Sequence, residues 1–282
     1  MRPVPGILTH NVINLHAQPN TSSELVSQGI CGDEIEILEL SERFARVHTS
    51  DGYQGWAVRR HIRPLEPDDP FLLDSNEFQT SEQLRIIAAI ADVYSAPSLR
   101  SPLLTKLPLF SRVLSDTNQP KTRSLRCIQL SEGCSGWIAP RMLRNSNSHP
   151  AFSGQAVAQY SCRFIGIPYL WGGTTPFGFD CSGFVQRMYS HFGITLPRDA
   201  YLQAECSLGI SQGPEDKFLA GDLVFFGAEN SRHSRSITHV GMMLDDQRVI
   251  HAAGDEGVTV TSLSAPEIVC KYTIRGGWRI QV

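Results

Sequence analysis

The chain has 282 residues, 41% of them hydrophobic and 19% charged, with a net charge of -3. That length holds one large domain or two to three small ones, and so slight a charge gives no electrostatic footing for nucleic acid or an anionic membrane surface. No apolar run approaches the ~20 residues that span a bilayer, and the first twenty residues lack a basic region followed by a long apolar one, so neither a membrane segment nor a signal peptide is expected.

From the N-terminus, the first informative feature is an internal repeat. Leu15-His-Ala-Gln-Pro19 is echoed by Val93-Tyr-Ser-Ala-Pro97, and Gly52-Tyr-Gln-Gly-Trp56 by Gly133-Cys-Ser-Gly-Trp137. Each copy has short apolar stretches between polar turns and closes on Gly-Trp plus an apolar strand. Two small β-barrels are expected, at residues 1–67 and 72–146, near the lower size limit for independent folding. Trp56 and Trp137 are expected to fill the barrel cores, whereas Tyr53, in the turn, is expected to be exposed. Arg63–Pro70 is too rich in proline for a strand interior and reads as a linker. Asp74–Ala91 leaves room for a helical turn before the second barrel. Asn145–Pro150 is a second linker, and a third domain is placed at 150–282.

Phe152–Ile165 reads as a helix. Gly172, Gly173, Pro176 and Gly178, crowded with Thr174 and Thr175, form a loop. Phe184, Val185, Met188, Tyr189 and Phe192 then follow Cys181 at one-face helical spacing. Cys181 therefore sits in a first helical turn, where unpaired N–H groups and the helix dipole favour thiolate. A cysteine there is more often an inert buried thiol, so the reading needs a base. Beyond Leu196-Pro-Arg198 and a polar segment to Pro214, strand signals run at Gly221–Phe226, Ile237–Leu244, Arg248–Ala252, Gly257–Val260 and Tyr272–Val282. Helices followed by an antiparallel sheet is an α+β order.

His239 and His251 flank the turn near Asp245 and Asp246, and a register centred on residue 245 sets them directly opposite on one face. Alone, each is more commonly a structural residue. Together they fit a base and the group that fixes its tautomer, with Cys181 as nucleophile and a resting thiolate–imidazolium pair. The seven cysteines form no C-x-x-C pair and read as free thiols of a reducing compartment. No cysteine pair has metal-ligand spacing with a histidine, so no metal or other cofactor is expected.

Pro168-Tyr-Leu-Trp-Gly-Gly173, Phe179-Asp-Cys-Ser-Gly-Phe184, Leu196-Pro-Arg198, Gly221–Phe226, Thr238–Leu244 and Ile250–Ala253, in this order, resemble the NlpC family of papain-like cell-wall cysteine peptidases over about 150–282. The repeats resemble bacterial SH3 domains. The resemblance implies an α+β fold, a papain-like peptidase domain preceded by two SH3-like β-barrels. It also implies cleavage of the γ-D-glutamyl bond to an L-diamino acid, diaminopimelate or lysine, in peptidoglycan stem peptides. Carried over residue by residue, Cys181 is the nucleophile, His239 the general base and His251 the orienting third member. The Cys181 N–H would help hold the oxyanion. Tyr169 matches a tyrosine whose hydroxyl lies near the thiol. Asp180 and Ser182 match residues that hold the free amine of an N-terminal L-alanine, and Tyr53 one that closes that subsite.

Bland readings stand beside these. Asp180 is a good N-cap, Arg198 fits a structural salt bridge better than a substrate carboxylate, and Asp222 fits a turn. With no signal peptide in view, the expected setting is cytoplasmic recycling of free muropeptides, with no nucleic-acid or membrane partner. The rivals are a secreted hydrolase of polymeric wall anchored by its barrels, a non-catalytic wall-binding protein, and a thiol acyltransferase of similar fold.

Overall fold

A computed structural model of the chain describes residues 3–72, 82–116, 124–206, 209–227, 236–269 and 273–281. They form two compact units, Met1–Ser148 and His149–Val282.

The first unit holds two seven-stranded antiparallel sheets. In spatial order the first contains Leu25–Ile30 (β3), Val12–His16 (β2), Gln54–Val58 (β6), Phe44–Thr49 (β5), Glu34–Leu40 (β4), Val4–Leu8 (β1) and Ile62–Pro64 (β7). The second contains Leu103–Pro108 (β10), Ile90–Tyr94 (β9), Ser135–Ile138 (β13), Arg126–Gln129 (β12), Arg112–Ser115 (β11), Gln83–Ile86 (β8) and Leu143–Asn145 (β14). Every strand of the second sheet takes the place of the strand seven earlier. The sequence repeat is therefore an architectural one.

The tryptophans depart from expectation. Strand residues alternate between faces, and the inward positions are the next residues along, Ala57 and Ile138, both fully buried in the barrel cores. Trp56 is only half-buried, while Trp137 packs with Leu125, Cys127 and Ala139 in a cluster separate from its barrel's main core.

The first linker also differs from a slack connector. Its Leu65 is buried with Phe71, Ile7 and Leu114, so apolar side chains of both barrels meet on it. Arg112, 4% exposed, supplies the polar half of this seam. Its guanidinium donates to the carbonyls of Gly32 at 3.0 Å and Phe71 at 2.8 Å and pairs with Glu34 at 2.7 Å. Gly32 has φ +87°, and a Cβ there would lie 2.4 Å from the Arg112 carbonyl oxygen, so only glycine allows this approach. Cys31, from the first barrel, sits in the core of the second, and burial pushes its thiol up to about 11. The two barrels thus fold as one block. The helical turn anticipated near Asp74 lies outside the described residues, and the described part of that segment enters β8 as a strand.

The second unit opens with Gly154–Ser161 (α1), whose cap Ser153 accepts the Ala156 N–H at 3.1 Å, and a 3-10 turn at Cys162–Phe164. A small hairpin, Thr174–Thr175 (β15) with Gly178–Phe179 (β16), leads into Cys181–Ser190 (α2), followed by Ala200–Glu205 (α3). The antiparallel sheet then runs in the order Gly209–Gln212 (β17), Thr273–Ile280 (β22), Leu223–Gly227 (β18), Ile237–Met243 (β19), Arg248–Ala253 (β20) and Gly257–Ser262 (β21), with a short helix Pro266–Val269 (α4) before its last strand. Helix α2 packs against β19 and β20. Helix α3 and β17 lie in the segment read only as polar, because six- and four-residue elements are too short to show a hydrophobic period.

Removing Arg112 strips a buried network of the guanidinium at its centre while leaving the acceptors in place. Arg112→Ala is expected to lower stability by about 3 kcal/mol, whereas Glu34→Gln, at the partly exposed end of the pair, costs less than about 1 kcal/mol. Urea unfolding of the two variants measures the difference.

Candidate active site

Cys181 is the first residue of α2 and Asp180 its N-cap, with extended backbone angles of -90° and 178°. The glycines around them are a matter of space. A Cβ on Gly183 would lie 2.3 Å from the Gly173 carbonyl oxygen, and one on Gly173 would lie 2.4 Å from that of Gly178. The loop, the β15–β16 hairpin and the first turn of α2 therefore stack with no room for a methyl group between them. Backbone bonds lock this stack, with Leu170 N–H donating to Phe179 O at 3.0 Å and Phe179 N–H to Pro168 O at 3.1 Å. Tyr169 bridges to Phe179 and is half-buried in this loop. The preceding residues dock on the sheet edge, where Gly166 N–H reaches Val258 O and Val258 N–H reaches Ile167 O, both at 2.8 Å.

The Asp180 carboxylate is the polar centre of the junction. It accepts the Gly183 N–H at 2.7 Å, the Gly172 N–H at 3.0 Å, the Ser182 hydroxyl at 3.3 Å and both terminal nitrogens of Arg198. Arg198 is 1% exposed and also donates to the Ser182 Oγ at 3.0 Å. The structure therefore makes Asp180 a cap and Arg198 its buried counter-ion, a structural pair. Gln203 of α3, fully buried, donates to the carbonyls of Ser182 at 3.1 Å and Pro197 at 2.8 Å, which holds Arg198's segment against the first turn of α2. Asp222, expected in a turn, accepts the Leu219 N–H at 2.8 Å and binds Arg279 through both oxygens.

Burial pushes the Cys181 thiol up to about 12, and the Asp180 carboxylate adds to the rise. The backbone N–H groups of Val240 and Ser182 and the charge of Arg198 act the other way and do not overcome it. The expectation that a helix start favours thiolate thus needs correcting, because a dry pocket penalises a lone anion by more than the first turn repays. A thiolate here requires an imidazolium beside it.

His239 and His251, 5% and 3% exposed, are joined by a hydrogen bond from Nε2 of the first to Nδ1 of the second at 2.8 Å. Their register is not the one anticipated. Met242 faces Ile250 and Met243 faces Val249, so the hairpin is centred on residue 246 and His251 falls opposite Gly241. The two histidines are diagonal neighbours on one face. Gly241 keeps that corner free, since a Cβ there would lie 2.4 Å from a Val249 methyl and 3.3 Å from the His251 Cβ. On the far side, His251 Nε2 meets the Thr261 hydroxyl at 3.1 Å.

Cys181, Asp180, Ser182 and Tyr169 are thus gathered at one loop-to-helix junction, and His239 and His251 on strands of the sheet that α2 packs against. Tyr53 belongs to the first unit, half-buried in the β5–β6 turn, where its carbonyl accepts the Thr49 N–H at 2.9 Å. Sequence reasoning missed Gln203 and Thr261. Thr259 and Thr261 alternate with Val258 and Val260, which marks a polar strand face, but linking either to a histidine needs the register.

The NlpC/P60 family model matches residues 166–275 and the bacterial SH3 domain model residues 11–63. Dipeptidyl-peptidase 6 of Lysinibacillus sphaericus is 30% identical over 92% of this chain and 91% of its own. A gamma-D-glutamyl-L-lysine dipeptidyl-peptidase of Bacillus cereus is 27% identical over 89% of this chain and 74% of its own. The crystal structure of an NlpC/P60 family protein from Bacillus cereus shares the fold, with a TM-score of 0.78 at 22% identity over 98% of this chain and 99% of that one.

If the Cys181 anion exists only as a partner of the imidazolium, His239→Ala leaves the thiol to its dry surroundings. Burial disfavours the charged form, so deprotonation moves to higher pH. Alkylation of the Cys181 peptide by iodoacetamide, followed by mass spectrometry, is expected near neutral pH in the native chain. In His239→Ala it is expected only at a clearly higher pH than a free cysteine, which titrates at about 8.5, requires.

Proposed function

Because the chain belongs to the NlpC/P60 family of cysteine peptidases, we propose that it hydrolyses the γ-D-glutamyl to L-diamino-acid bond of short peptidoglycan stem peptides carrying a free N-terminal L-alanine. The observation that carries the reading is the 2.8 Å bond between His239 and His251, on the sheet that supports the Cys181 helix. Likeness over 89% of the chain to a gamma-D-glutamyl-L-lysine dipeptidyl-peptidase supports the same class of bond. The proposed setting is the cell interior, acting on released wall fragments.

The reaction is acyl transfer. Cys181 Sγ attacks the γ-carbonyl carbon as its proton passes to His239 Nδ1, and the Cys181 N–H helps hold the oxyanion. His239 returns the proton to the departing diamino-acid nitrogen as the C–N bond breaks. Water, losing a proton to the same imidazole, then cleaves the thioester and frees the glutamyl dipeptide.

Selection for a free amine falls to Asp180 and Ser182, with Tyr169 as the aromatic wall of the subsite. The carboxylate already receives five donors, so an entering ammonium has to displace one. The Ser182 hydroxyl, at 3.3 Å, is the longest-held and the cheapest to release. Once released, its oxygen accepts from the ammonium, and Arg198 stays to balance the charge. An acetylated amine offers neither the charge nor the extra protons, and leaves a buried polar group short of a partner.

Purified tripeptides with free and acetylated N-termini, followed by mass spectrometry, test this. The free peptide is expected to be cut at least roughly tenfold faster in kcat/KM, Cys181→Ala to cut neither, and intact sacculi to be left undigested. Equal cleavage of the blocked peptide refutes the amine subsite, and digestion of sacculi supports a wall-grazing hydrolase in its place.

A further inference from the structure

We propose that Thr261 is a positioning residue of the catalytic site, a hydroxyl acceptor that fixes the tautomer of His251 and through it that of His239. The inference rests on the peptidase reading above and adds a fourth member to its constellation.

Thr261 continues a row that already contains the two histidines. Strand β20 pairs with β21 so that His251 faces Thr259 and Val249 faces Thr261. Thr261 is therefore diagonal to His251, just as His251 is diagonal to His239. The row crosses three strands on one face of the sheet, from buried His239 and His251 to half-buried Thr261 on the edge strand. Its two links are 2.8 Å and 3.1 Å, both within hydrogen-bond range.

The direction of these bonds decides whether His239 can act as a base. Each neutral imidazole carries one N–H, so one ring nitrogen donates and the other accepts. To take the Cys181 proton, His239 Nδ1 must be bare, and its N–H is then at Nε2, donating to His251 Nδ1. His251 in turn carries its proton on Nε2, which needs an acceptor. The Thr261 oxygen is that acceptor. If Thr261 donates instead, every bond reverses. His251 then holds its proton on Nδ1 and donates to His239, whose own proton lies on Nδ1, the nitrogen the reaction requires to be bare.

The same row serves the charged state. When His239 becomes imidazolium, its Nε2–H leans on His251, and His251 Nε2–H on Thr261, so charge spreads along bonds already aligned for it. No atom moves except the proton transferred from sulfur. A threonine, unlike a carboxylate, can hold this end of the row without placing a fixed anion at the sheet edge.

Thr261→Val keeps the branched shape a strand favours and removes only the hydroxyl, while Thr261→Ser restores it. The native chain labelled with 15N-histidine is expected to show His251 protonated at Nε2, and Thr261→Val to shift that proton toward Nδ1. In the same variant kcat is expected to fall roughly ten- to hundredfold with KM changed less than about twofold, and Thr261→Ser to recover to within about threefold of native. A Thr261→Val chain with native kcat and an unchanged His251 tautomer overturns the proposal. So does a Thr261→Ser chain that falls as far as the valine variant. The tautomer signal is read without substrate, so it stands or falls separately from the peptidase reading, which an active Cys181→Ala would refute.

Discussion

The catalytic unit depends on one buried carboxylate. Asp180 has two oxygens and receives two backbone N–H groups, a hydroxyl and a bidentate guanidinium. These donors come from the loop at Gly172, the first turn of α2 and the segment at Arg198, so satisfying one anion fixes three pieces of chain at once. Leaving it unsatisfied is costly in a buried site, and that cost is what makes the geometry of the Cys181 junction stiff. The glycines at 173, 178 and 183 are the complementary requirement. Donors can converge this closely only where the intervening positions carry no side chain.

The same dryness shapes the chemistry. Water is excluded from the first turn of α2, and the sulfur there is held neutral unless a positive charge arrives with it. Beside that desolvation the helix dipole is a modest contribution. On the sheet beside that helix, His239, His251 and Thr261 form a hydrogen-bonded row.

The N-terminal unit uses a similar device without catalysis. Arg112 is buried between the barrels with one carboxylate and two carbonyls as partners, and apolar Leu65 and Phe71 pack beside it. A planar guanidinium suits both places because its fork reaches several acceptors in fixed directions, and because it is less strongly hydrated than an ammonium. Two barrels that are each near the size limit for folding alone gain a shared core in this way.

Much of this was legible along the chain. The repeat, the loop-to-helix junction at Cys181, the order of helices before strands and the pairing of His239 with His251 all follow from local signals, because turn chemistry, helical period and strand alternation act over a few residues. Other features were not. The inward side of Trp56 and Trp137 depends on which face of a short strand meets the core, and a one-residue shift reverses it. The hairpin centre at 246 rather than 245, the burial of Arg198 against Asp180 and the reach of Thr261 to His251 depend on register and on contacts between distant segments. The sequence by itself marked the candidate residues for the chemistry and most of the elements that carry them. Only the tertiary structure decided which of them are hydrogen-bonded, since hydrogen bonds and desolvation are set by neighbours that the chain brings together from far apart.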